Sequence, residues 1–64
     1  MRWPDWKDSG SRVRVMKDND ERVGILFAND VGNDGENEWP IFDVQFEDGS
    51  VVPFTTFDAW EILP

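Results

Sequence analysis

An all-β domain is expected from three features of this chain. Short runs of alternating apolar and polar residues recur along it, from residues 11–16 to residues 60–63. Gly, Asp, Asn and Pro separate these runs, as in "KDNDE" (17–21) and "EDGS" (47–50). No segment keeps a 3.6-residue apolar period, so essentially no α-helix is expected. About five short antiparallel strands within residues 11–64 have to bend into a small barrel, because closing a sheet removes the open edges a flat one leaves. Residues 1–10 then form an N-terminal arm.

Residues 11–16 read as the first strand, with Val13 and Val15 on one face and Arg12 and Arg14 on the other. "KDNDE" is a polar turn. Residues 22–28 read as the second strand, with Val23, Ile25 and Phe27 sharing the buried face. Gly24, opposite them, permits a bend or a close neighbour. Residues 39–47 form the third strand, with Phe42, Val44 and Phe46 inward and Ile41, Asp43 and Gln45 outward. Asp48-Gly49 is a strong hairpin-turn signal. The fourth strand covers residues 50–54, where Pro53 demands an edge or a bulge because it has no N–H to donate. "TFDA" (56–59) suits a single 3₁₀ turn, and residues 60–63 make a last short strand. Phe27, Phe42, Phe46, Phe54, Trp60 and Ile62 are the expected core.

With 64 residues, the chain holds one domain at most. It has no Cys and no His, which removes disulfides, thiolate sites, a cysteine nucleophile and the commonest general base. No apolar run approaches the roughly 20 residues that span a bilayer. Residues 1–12 have no apolar stretch of signal-peptide length, so a cytoplasmic location is expected. The net charge is −8. All six basic residues (Arg2, Lys7, Arg12, Arg14, Lys17, Arg22) fall in residues 1–22, whereas residues 23–64 hold nine acids and no base. Such an acidic body repels phosphate, so direct nucleic-acid binding is not expected. The charge keeps a small protein in solution, or it faces a basic partner, or it imitates nucleic acid.

The order of these elements resembles the SH3-like barrels, the group that includes KOW and Tudor-like domains, over roughly residues 10–64. "GSRVRV" (10–15), "GILF" (24–27), "DVQFEDG" (43–49) and "FDAWEIL" (57–63) carry the resemblance. Asp58, Trp60 and Ile62 fit the closing segment of such barrels. Small barrel subunits of photosynthetic complexes, namely the stromal photosystem I subunit and the variable chain of ferredoxin–thioredoxin reductase, have a similar strand. Its positions match Pro40, Val44 and Phe46 with altered spacing. That likeness implies docking of acidic ferredoxin, which an acidic chain would repel. Type II plasmid dihydrofolate reductase is similar in size, in its "RVR" first strand and in "GSV" before an aromatic residue. In that family a tetrameric pore binds folate and a nicotinamide cofactor through a Val-Gln-Ile-Tyr run. Here Val51, Val52, Pro53 and Phe54 stand at those positions, and Val15 or Met16 replaces the pore lysine. The Tudor-like likeness implies an aromatic cage for methylated Lys or Arg, for which four Trp and five Phe supply ingredients.

The stretch "NDVGNDGENEWP" (29–40) raises a choice between a metal loop and a hairpin tip. In an EF-hand alignment with Gly35 sixth, Gly32 falls third and Ile41 twelfth, where oxygen ligands are needed, so that motif is rejected. A long acidic loop between the second and third strands is expected instead, placed to meet a partner. Trp3 and Trp6, before the first strand, either plug the barrel or pack on another chain, and Trp39 faces the same choice. Asp43 is the one acid within an apolar run, and alternation puts it outside. No catalytic group, cofactor or metal site is expected.

The function expected is a non-catalytic interaction module that associates with itself and docks a protein partner. Trp3, Trp6, Trp39, Asp30, Asp34, Glu36 and Glu38 are its candidate partner-binding residues. Trp3, Trp6, Arg12 and Arg14 are candidates for self-association, with the basic first strand of one copy meeting the acidic loop of another. The alternatives are an acidic nucleic-acid mimic that inhibits a basic protein, and a small-molecule binder related to type II dihydrofolate reductase.

Overall fold

The structure, a computed structural model, describes residues 4–64, so Trp3 lies outside the described residues. Strands β1 (Arg12–Lys17), β2 (Asp20–Asn33), β3 (Glu38–Gln45), β4 (Val51–Pro53) and β5 (Ala59–Ile62) form one antiparallel sheet in the order β4-β3-β2-β1-β5. β4 and β5 stand at opposite ends of that order and do not pair, so hydrogen bonds do not close the sheet. No described helix is long and apolar enough to cross a membrane.

Local chemistry fixes the turns. Lys17 pairs with Asp20, which leaves Asp18 and Asn19 as a two-residue loop with φ of 51° and 67°. A tight hairpin that follows strand twist needs such left-handed residues, and Asp and Asn tolerate them. Between β3 and β4 the Asp48 carboxylate accepts from both the N–H and the hydroxyl of Ser50, while Gly49 takes φ 89°. A 3₁₀ turn occupies Phe54–Thr56. It lies just before the expected "TFDA" segment because Pro53, at φ −56°, leads directly into it.

The core consists of Val13, Val15, Leu26, Phe42, Val44, Phe46, Phe54 and Phe57, with Ala28, Val52, Trp60 and Ile62 packed against it. Edge-to-face contacts organise its rings. Phe42 meets Phe54 at 6.3 Å, Phe54 meets Trp60 at 5.6 Å, and Phe46 meets Phe57 at 6.1 Å. This is the geometry ring quadrupoles favour. Among the described residues no polar or charged side chain is buried.

Two expectations are corrected by the structure. The buried face of β2 is Gly24 and Leu26, not Val23, Ile25 and Phe27; Val23 and Ile25 are exposed and Phe27 is only half-buried. The cross-strand register explains it. Val13 pairs with Gly24 while Arg12 and Arg14 pair with Ile25 and Val23, and paired residues share a face. With Val13 and Val15 inward, β2 has to present Gly24 inward. A Cβ there would stand 2.7 Å from the Gln45 carbonyl oxygen and 2.8 Å from Val44 Cγ1, so that position has no room for a side chain.

The second correction concerns residues 29–40. They are not a long loop: β2 runs on to Asn33, β3 starts at Glu38, and only a four-residue turn lies between. The pairing shifts register between Ala28 and Asp30, leaving Asn29 as the extra residue of a β-bulge. β1 ends opposite Ile25, and its approach continues the contact only as far as Ala28. Gly10 N–H donates to the Leu26 carbonyl, Leu26 N–H to the Ser11 carbonyl, and Ala28 N–H to the Ser9 hydroxyl. Beyond that point, among the described residues, β2 pairs with β3 alone. The two form an arm at one end of the β2–β3 pairing.

Candidate functional site

The arm gathers most of the candidate residues. Its turn is set by Asp34, whose carboxylate accepts from the N–H groups of Asn37 at 2.8 Å and Glu36 at 3.0 Å, while Gly35 supplies φ 95°. These bonds, the one from Asn37 foremost, hold the Asp34 carboxyl below the usual carboxylate range. At the base of the arm, the side-chain amide of the bulged Asn29 donates to Asp43 at 2.8 Å. Asp30, Asp34, Glu36 and Glu38 are all exposed, and no cation lies between Val23 and Pro64 to neutralise them.

Apolar side chains interrupt this acidic surface. Val31, Trp39 and Ile41 are all exposed. Trp39 pairs with Gly32, and a Cβ on Gly32 would stand 2.5 Å from Trp39 Nε1 and 2.7 Å from Cε2. The indole therefore lies across β2, in the space a side chain at position 32 would take. Sequence reasoning missed Val31 and Gly32 because the polar residues around them hid a strand. The pairing signal was present in the alternation of Asp30 and Gly32 with Val31.

The other candidates separate from the arm. Trp6 is exposed on the 3₁₀ turn Trp6–Asp8, which Asp5 caps, accepting the Trp6 N–H at 2.7 Å while its own N–H donates to Asp8. Arg14 is engaged within the chain, between Glu21 at 3.3 Å and Glu61. Those carboxylates, Glu61 foremost, raise its already high pKa. Arg22 stacks on the Phe46 ring at 3.7 Å. Arg12 has no carboxylate partner among the described residues. It borders a shallow depression of about 440 Å³ on the outer face, together with Val23, Ile25, Gln45 and Glu47.

Among the described residues no group of three or more acidic side chains converges in a way that could hold a metal ion. No family model matches the chain, and neither does any curated protein or solved structure.

Proposed function

We propose that this chain is a non-catalytic interaction module, an SH3-like barrel in type, that docks a basic protein partner on the β2–β3 arm. One observation carries the reading: the arm presents exposed Trp39 and Ile41 on the face of Asp30, with exposed Val31 on the opposite face, along a stretch with four carboxylates and no basic residue in its sequence. Charge of one sign steers a complementary partner, and an exposed Trp beside aliphatic groups supplies contact energy once water is excluded. The strand order, the long β2 and the 3₁₀ turn before β5 support the barrel likeness.

The test is titration of oligolysine into isotope-labelled protein, followed by NMR. Shifts concentrated in residues 29–41 and weakened by Trp39→Ala support the reading. Shifts spread evenly over every carboxylate sink it.

Self-association is the second reading. It is favoured by Arg12, which has no carboxylate partner among the described residues and lies beside exposed Val23 and Ile25, a patch that the acidic arm of another copy would complement. Light scattering at low and high salt decides it: a discrete oligomer supports it, and a monomer in both conditions removes it.

A further inference from the structure

The open side of β2 beyond Ala28 has three properties that belong together. First, among the described residues, positions 29–33 have a strand neighbour on one side only, because β1 and its approach end opposite Ala28. Second, the Val31 N–H is held by the carboxylate of its own neighbour, Asp30, at 2.7 Å. That carboxylate occupies the place a neighbouring strand's carbonyl would take. Third, the Trp39 indole crosses over Gly32 from β3 towards this same open side.

We infer that residues 29–33 are a docking edge for an extended segment of a partner protein, which adds as a further strand and alternates basic with apolar residues. The inference rests on the reading above that the arm receives a basic partner, and it names the form that partner takes. Strand addition supplies main-chain hydrogen bonds for affinity and alternate side chains for specificity. Asp30 and Gly32 share one face of β2 and Val31 lies on the other. A basic residue set beside Asp30 meets its carboxylate. The next basic residue on that face, beside Gly32, meets the Trp39 ring in a cation–π contact. The residue between them meets Val31. The incoming carbonyl takes over the Val31 N–H, which frees Asp30 for the basic side chain.

A second copy of this chain is a poor occupant of the edge. Pairing two such edges would bring Asp30 towards its counterpart between chains that each carry −8.

The experiment uses two peptides at low salt, Lys-Val-Lys-Val-Lys and the same sequence N-methylated along its backbone. The second keeps charge and side chains but cannot build a ladder. Binding is followed by the ring N–H resonance of Trp39 and by amide exchange in residues 29–33. The expected result is binding of the unmodified peptide more than about tenfold tighter than that of its methylated form. Slowed exchange at Val31 should accompany it. Val31→Pro removes the edge N–H without touching the bonds β2 makes to β3, and should abolish the preference; circular dichroism checks that it folds. Asp30→Asn, which keeps an acceptor for Val31 and removes the charge, should weaken the peptide. Equal binding of both peptides overturns the strand-addition inference and leaves the basic-partner reading standing. Failure of both to bind overturns the two together.

Discussion

Gly24 lies so close against Val44 that a single added carbon would stand 2.8 Å from Val44 Cγ1. The Gln45 carbonyl oxygen would be nearer still, at 2.7 Å, and backbone cannot swing aside as a side-chain tip can. Gly24→Ala is therefore expected to destabilise the fold by about 1–3 kcal/mol, the range for an overfilled core. Urea unfolding checks this, and a midpoint equal to that of the parent would show that the strands are not in this register.

Phe54 makes edge-to-face contacts with Phe42 and Trp60 and is essentially buried. Phe54→Ala should cost about 3–5 kcal/mol. A chain of this size has roughly 3–10 kcal/mol of stability in total. The variant should thus be largely unfolded near the low end of that range, while Phe54→Leu stays folded. Near-ultraviolet circular dichroism distinguishes the two outcomes.

The β1–β2 turn depends on Asn19 at φ 67°. Asn tolerates this region better than a β-branched residue, for which it is strained. Asn19→Val should lower stability by about 1–2 kcal/mol, and Asn19→Gly should raise it modestly. Thermal unfolding of the pair reads both signs at once.

Acid should loosen two turns in particular. Asp34 and Asp48 are both held below the ordinary value of 3.8, by the Asn37 N–H foremost in one case and the Ser50 hydroxyl foremost in the other. A carboxyl whose folded pKa lies below its unfolded value contributes stability in full above the unfolded value. That contribution is lost as pH falls through the folded one. Carbon-13 NMR should show both carboxyls titrating below 3.8, and Asp34→Ala should make the acid-side loss of stability shallower. Ordinary titration at both positions would contradict these turn geometries.

Much of the fold was legible because single residue types constrain it. Val13 with Val15, and Phe42 with Val44 and Phe46, mark inward faces by plain alternation. Asp48-Gly49 marks a hairpin turn, and Pro53 sits on β4 at the end of the sheet, where an edge strand tolerates it. The face of β2 was not legible. In "VGILF" both alternate sets carry apolar residues, and the larger set loses because the position opposite Val13 has no room for a side chain. The arm was hidden for a different reason. Its strand residues include Asn29, Asp30, Gly32, Asn33, Glu38 and Pro40, all poor strand formers alone, and the pairing of β2 with β3 overrides that preference. Hence Asp30 and Glu38, expected on a loop, lie on strands, while Asp34 and Glu36 lie in the short turn and Trp39 on β3. Trp6 and Arg14 proved to belong to other surroundings.

The strand order has a kinetic consequence. Three of the four pairings join strands adjacent in the chain, each closed by a short connection; the fourth joins Val13 to Ile62. That last pairing must close a loop of nearly the whole chain, whose entropy has to be met before its contacts give anything back. The two hairpins between β1 and β3 can assemble first, with β5 docking late. Ile62→Ala, which weakens a contact formed after the barrier, should then shorten the lifetime of the folded state while leaving its rate of formation nearly unchanged.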